Sequence, residues 1–185
     1  PWIALNYEWR PGLVSYVSWG QGIESQVAPN RPLSYSNAGQ ALPALKSRQL
    51  EFGLKGRTDA LDWNLTAFDI DRPVYARDDS VVPGPLRSDG SARHRGLEAG
   101  IEARTGAWTW VASAMLLHAE RTDSADPAVD GQRPPNVPER VFKLQTQYAV
   151  AGLAGLSLQG GIVAESDRTL LPDDGATRIP GWARL

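Results

Sequence analysis

The sequence predicts an all-β chain, an antiparallel transmembrane β-barrel segment, on three observations. Runs in which apolar and polar residues alternate one for one recur along its 185 residues. The connections between these runs alternate in length, short then long. Aromatic residues of the apolar parity gather beside the short connections. Antiparallel neighbours joined in this way place every tight turn at one end and every long loop at the other. That is the layout of a membrane barrel with short periplasmic turns and long extracellular loops.

The strands follow in order. Pro1 to Trp9 sets Ile3, Leu5, Tyr7 and Trp9 against Ala4, Asn6 and Glu8. Leu13 to Gly20 is weaker, since both parities carry apolar and small residues. In Ser47 to Lys55, Leu50, Phe52 and Leu54 oppose Gln49, Glu51, Gly53 and Lys55. Leu61, Trp63, Leu65 and Ala67 oppose Asp62, Asn64 and Thr66. Phe68 and Ile70 then fall on the polar parity, which predicts a bulge near Ala67. Leu97 to Ala103 opposes Glu98, Gly100 and Glu102, and Trp108 to Leu116 alternates with Thr109, Val111, Ser113 and Met115. Phe142, Leu144, Thr146 and Tyr148 oppose Lys143, Gln145 and Gln147. Leu156 to Ala164 and a last run from Ile179 bring the total to about nine strands.

The tight connections are Trp9 to Leu13, Gly56 to Leu61, Arg104 to Trp108 and Val150 to Leu156. The long ones are Gly20 to Lys46, Asp71 to Ser91, Glu120 to Pro138 and Asp167 to Ile179. The long segments are rich in proline, glycine and asparagine, as turns require. Loops of this length are usually functional or mobile.

Two features favour lipid over the wet face of a soluble antiparallel sheet, which alternates in the same way. The polar parity mixes charged residues with glutamine and glycine, as a lumen lining does. Glu51, Lys55, Glu98, Glu102, Lys143 and Gln147 are the expected lumen-facing residues. The second feature is an aromatic girdle of Tyr7, Trp9, Trp63, Trp108, Trp110 and Tyr148, at the height of one membrane interface.

Composition narrows the function. Hydrophobic residues make up 42% and charged residues 22%, with a formal net charge of -2, which suits neither a disordered chain nor a nucleic-acid binder. There is no cysteine, hence no disulfide framework and no thiolate metal site. Apolar stretches such as Val111 to Leu117 fall far short of the ~20 residues of a spanning helix. The chain begins at Pro1 with no methionine or signal-like region, and reads as an internal piece of a longer protein.

Several ordered segments carry a family resemblance. Ser15 to Gly22 resembles the "YxSxxxG" strand before a long loop in TonB-dependent outer-membrane receptors. Leu42 to Lys55 resembles that family's "L-x-P-E-x-S-x-x-x-E-x-G-x-K" segment, with Ala44-Leu45 where Pro-Glu is usual. Leu65 to Ile70 looks like the strand that follows. Arg95-Gly96-Leu97-Glu98, Pro135 to Pro138 and Ile179-Pro180-Gly181-Trp182 resemble three later strand entries. Each motif is weak alone; the ordered set is specific, and within the family the chain looks most like siderophore receptors.

The resemblance implies that residues 1–185 are a partial barrel domain, about nine strands of a barrel of about 22 with a plugged lumen. On this reading the plug domain and the final strands lie outside these residues. It implies a ferric siderophore or similar chelate as ligand, no cofactor and no enzyme activity. The implied partners are the chain's own plug, the TonB energy-coupling complex acting through that plug, and outer-membrane lipid and lipopolysaccharide. Two alternatives stay open: a complete small outer-membrane barrel serving as pore or adhesion scaffold, and a soluble β-sandwich carbohydrate-binding module.

Candidate ligand contacts are the loop residues Tyr35, Tyr75, Arg77 and Arg87, with Arg93 and His94 on a basic rim that Arg95 completes. Solvated strand-end charge or contact with anionic lipopolysaccharide is the plainer reading of that run. No catalytic set is visible around the two histidines, His94 and His118. Asp123, Asp126 and Asp130, like Asp173 and Asp174, lack the spacing of a calcium loop and read as solvated acids. The sequon Asn64-Leu65-Thr66 lies within a strand and reads as chance.

Overall fold

The computed structural model describes residues 1–170 and 177–185. The described residues form eleven strands and no helix. These are β1 (Trp2–Arg10), β2 (Leu13–Glu24), β3 (Leu45–Arg57), β4 (Leu61–Arg77), β5 (Leu86–Thr105), β6 (Trp108–Thr122), β7 (Arg140–Ala149), β8 (Ser157–Glu165), β9 (Arg168–Thr169), β10 (Arg178–Ile179) and β11 (Trp182–Arg184). Nine pair in one antiparallel sheet, in the order β1 through β8 and then β11, while β9 pairs with β10. The sheet does not close, since β1 and β11 each have one neighbour. This excludes a small closed barrel within these residues.

Register explains the alternation. Leu54, Leu65, Ala99, Ala114, Phe142 and Ala164 pair in succession across six strands. One residue along, Lys55, Asn64, Gly100, Ser113, Lys143 and Val163 pair in the same way. Successive residues point to opposite faces, so the first ladder lies on an apolar face and the second on a polar one. The apolar face is bare: Leu50 is 50% exposed, Phe52 55% and Leu97 47%. A sandwich would cover such a face with a second sheet, and among the described residues none does. The buried apolar side chains, Ala28, Leu86, Ala92, Ala119 and Val129, lie instead at the long-loop end.

Two expectations change. The bulge predicted near Ala67 is absent, because β4 keeps register with β3 and β5 through Ala67 and Phe68. Phe68 stays on the polar face and its ring lies over Gly96 on β5, where a Cβ would collide with it. The missing side chain of one residue makes room for the ring of the other. The real irregularity falls between Pro73 and Tyr75. A proline cannot donate to the ladder and belongs beside a bulge.

The second change is the connection expected from Asp71 to Ser91, which shrinks to residues 78–85. β4 and β5 run on past the apolar band as a projecting hairpin. Alternation of apolar residues marks a strand only where one face is apolar. Beyond that band, paired strands can be polar on both faces. The expected loop from Asp167 to Ile179 likewise contains the β9–β10 pair.

Candidate functional site

The long-loop end is organised around the projecting β4–β5 hairpin. Residues 25–44 fold against its tip. Tyr35 forms a parallel bridge with Gly84, and the Ser36 amide donates to the Gly84 carbonyl at 3.2 Å. The Asn37 side chain closes a reciprocal pair with the Leu86 backbone: its amide donates to the Leu86 carbonyl at 2.9 Å, and its carbonyl accepts from the Leu86 N–H at 2.9 Å. The Tyr75 hydroxyl donates to the Pro43 carbonyl. At the loop root, Arg72 spans from β4 to β2 and grips Glu24 with two hydrogen bonds of 2.7 Å.

These contacts frame an open cleft of about 540 Å³, lined by Asn37, Gln40, Pro43, Tyr75, Leu86 and Arg87 among others. Arg87 holds Asp78 at 3.2 Å. A guanidinium, a phenol and two side-chain amides around proline and leucine suit an oxygen-rich anionic ligand. No nucleophile–base pair stands among those residues. Among the described residues no three carboxylate or imidazole groups gather to hold a metal ion.

The sequence candidates are therefore only partly brought together. Tyr75 and Arg87 share the cleft. Tyr35 is used at the bridge beside it. Arg77 turns to Asp79 and is not among the cleft residues. The basic rim is corrected. Arg93, His94 and Arg95 alternate in direction along a regular stretch of β5, so they do not form one patch. Arg93 and Arg95 share the parity of Leu97 and both engage Asp69, at 2.5 and 3.4 Å. His94 takes the opposite face, half-buried, with Nδ1 3.3 Å from the Ala92 carbonyl oxygen. Asn37 and Gln40 were legible only as turn-forming loop residues. Their role depends on which hairpin the loop folds against.

The remaining loops are held by ion pairs that are largely buried on the arginine side. Arg121 and Asp89 meet at 2.8 Å, each side chain about 10% exposed. Asp89 also accepts from the Ser124 hydroxyl at 2.7 Å and from the Ala125 amide at 2.7 Å. Burial pushes the Asp89 carboxyl up, but the Ala125 amide, the Ser124 hydroxyl and the Arg121 guanidinium outweigh it and leave it below its ordinary value. Arg133 reaches Asp167 at 2.9 Å and Glu139 at 3.4 Å, tying the segment before β7 to the one after β8. Asp126 and Asp130 accept from the backbone amides of Ala128 and Ser124, organising a turn. Asp173 and Asp174 lie outside the described residues.

On the polar face, the register aligns Glu51, Lys55, Glu98, Glu102, Lys143 and Gln147. Tyr16 on β2 reaches across Gly53 to Thr66 on β4, oxygen to oxygen at 3.0 Å, and the Lys55 ammonium sits 4.8 Å from the Tyr16 ring centre. On the apolar face near the tight turns, Trp108 stacks on Trp110 at 5.3 Å and meets Tyr148 at 4.7 Å. Tyr7 and Trp9 pack edge to face at 4.8 Å, and the Trp9 indole N–H donates to Ser15 at 3.0 Å. Trp63 covers Gly56 of β3.

Comparison with known proteins agrees with this architecture. The family described as "TonB dependent receptor-like, beta-barrel" matches residues 1–185. No curated protein matches the chain by sequence. Among solved structures, the chain is similar to BauA, the ferric preacinetobactin receptor of Acinetobacter baumannii, with 26% identity and a TM-score of 0.81. That match covers 99% of this chain and 28% of BauA. The ferric yersiniabactin uptake receptor FyuA of Yersinia pestis (18% identity, TM-score 0.79) covers 98% of this chain and 28% of its own. For the siderophore receptor PiuA of Acinetobacter baumannii the values are 18% and 0.78, with 99% and 28% covered. The chain thus spans about 28% of the length of these receptors. One open antiparallel sheet, bare on its apolar face, and a match along its whole length place the chain in the TonB-dependent receptor β-barrel family.

Proposed function

We propose that this chain forms part of the wall and extracellular mouth of an outer-membrane receptor that takes up a ferric siderophore. The observation that carries this reading is the likeness to the ferric preacinetobactin receptor, over 99% of the chain at 26% identity. The cleft at the long-loop end supports it, since the Arg87 guanidinium and the Gln40 side-chain amide face it with donors for an oxygen-rich chelate and Tyr75 adds an aromatic wall. The apolar face meets outer-membrane lipid, with the aromatic cluster at the periplasmic interface. The polar face lines the lumen, where Glu51, Lys55, Glu98, Glu102, Lys143 and Gln147 face the plug and Lys55 sits over the Tyr16 ring of the neighbouring strand. Energy reaches the ligand through the plug and the TonB complex. The part played by this chain is transport and not catalysis.

Uptake of a panel of radiolabelled ferric chelates by cells expressing the full-length receptor tests the proposal. One chelate should enter in a TonB-dependent manner. The double variant Tyr75→Ala with Arg87→Gln should weaken its binding by about tenfold or more, the loss of one charged hydrogen bond. Unchanged affinity would remove the cleft from the binding site. Uptake of no chelate by the wild-type receptor would refute the siderophore assignment.

A further inference from the structure

The polar face of the sheet changes character across its width, and the register compares its two halves at matched height. One row runs Lys55, Asn64, Gly100, Ser113, Lys143 and Val163 from β3 to β8. Nearer the mouth another joins Glu51, Phe68, Gly96 and Leu117. On β3 the residues of this parity are Ser47, Gln49, Glu51, Gly53, Lys55 and Arg57. Polar contacts follow that strand along its length. At the mouth Arg72 of β4 grips Glu24 of β2. Below them Gln49 donates to Glu51, Tyr16 meets Thr66, and Lys55 lies over the Tyr16 ring. At the tight-turn end Arg57 holds Asp62 at 2.6 Å. A concavity of about 760 Å³ follows the lower part of this wall, lined by Asn6, Glu8, Tyr16, Lys55 and Arg57 among others.

β6 is the contrast. Its residues of the same parity are Val111, Ser113, Met115, Leu117 and Ala119, none of them charged. Val141 of β7 pairs with Met115, and Val163 of β8 stands on the same face beside it. Met115, Leu117, Val141 and Val163 make a half-buried apolar strip with no layer over it among the described residues. Lys143 and Gln145 keep its lower border polar. Covering such a strip with protein removes apolar surface from water and is favourable. Covering the β3 wall strips water from charged side chains, a cost returned only where each finds a partner.

We propose that the ligand's route through the lumen follows the β3 wall, from the Glu24–Arg72 pair down to Arg57–Asp62, while the plug keeps its contact with the β6–β8 strip. The route rests on the plugged-receptor reading above. It begins at the cleft, since Arg72 lies just below Tyr75 on β4. Gly20 and Gly22, paired with Gln49 and Ser47, add no side chain to narrow it there. Further down, amide, hydroxyl, ammonium and guanidinium groups exchange hydrogen bonds with an oxygen-rich chelate directly or through water.

The test uses the full-length receptor in living cells, with single cysteines at two matched heights and no other reactive thiol. Lys55→Cys and Val163→Cys share the lower row, and Glu51→Cys and Leu117→Cys the upper. The probe is methanethiosulfonate ethylsulfonate, a small anion that does not cross lipid. During energised uptake of the chelate that the panel identifies, Lys55→Cys and Glu51→Cys should react about tenfold faster than in uncoupled cells, as a minor open state gains population. Val163→Cys and Leu117→Cys should not change. Modified Lys55→Cys should take up the chelate about tenfold more slowly with surface binding retained, whereas the same treatment of Val163→Cys should leave uptake unchanged. Where Lys55→Cys itself lowers uptake, the Glu51 and Leu117 pair carries the comparison. Equal acceleration on both walls, acceleration on β6 and β8 alone, or none while uptake proceeds overturns the route and leaves the receptor reading intact. Uptake of no chelate by the wild type overturns both.

Discussion

Tyr16 and Thr66 are 50 residues apart in sequence, yet their hydroxyls meet at 3.0 Å across the strand that separates β2 from β4. The bridge exists because Gly53, which lies between them, has no side chain. A Cβ there would run into the Tyr16 ring. Gly53→Val should therefore destabilise the folded receptor by about 1–3 kcal/mol, the usual cost of overpacking. Unfolding of the reconstituted full-length protein in urea, followed by tryptophan fluorescence, measures it. Adding Tyr16→Ala should recover part of the loss, because the two sites share one space. A loss that Tyr16→Ala only enlarges would show that the ring is not what the valine strikes.

The apolar face makes a second prediction. Ile101 lies in the middle of the outward apolar stretch of β5, so Ile101→Arg should cost about 2–4 kcal/mol in a bilayer. The comparison must be made on the polar face, and Ser113→Arg is the suitable partner. Gly100 is not, since a Cβ there would lie 2.5 Å from the Asn64 side-chain oxygen and any residue is disfavoured. Folding yield into vesicles across a urea series compares the two. Equal costs would contradict the facing of β5.

Asp89 gives a third, in the projecting part of β5 beyond the apolar band. Its carboxyl is held below its ordinary value by Ala125, Ser124 and Arg121. A depressed carboxyl stabilises the folded form fully above its unfolded value of about 3.9, and the contribution fades as pH falls through the folded value. The segment from Asp123 to Gln132 should therefore lose hydrogen-exchange protection below about pH 4, once intrinsic rates are corrected. Asp89→Asn should already be poorly protected at neutral pH and show little further acid loss. Protection that stays flat to pH 3 in the wild type would show that the ion pair does not hold the segment.

The strands and their faces were legible in the sequence for a local reason. Alternation at Leu50, Phe52 and Leu54, or at Leu97, Ala99 and Ile101, records directly that one face meets an apolar medium and the other does not. Ordered motifs such as Arg95-Gly96-Leu97-Glu98 added the family. Where that contrast ends, the reading ended too. The outer halves of β4 and β5 looked like loop because paired strands beyond the band need no apolar parity. Phe68 looked like a bulge because the glycine that receives its ring sits on another strand, 28 residues away in sequence.

What the sequence determined by itself, then, was the strand pattern, the two faces and the membership of a barrel. Only tertiary structure decided which loop folds against which hairpin. It brought Tyr75 and Arg87 into one cleft with Asn37, and turned Arg93 and Arg95 away from His94 toward Asp69. The physical reason is range. Facing along a strand follows from a period of two residues, whereas a site at the mouth depends on contacts between segments tens of residues apart.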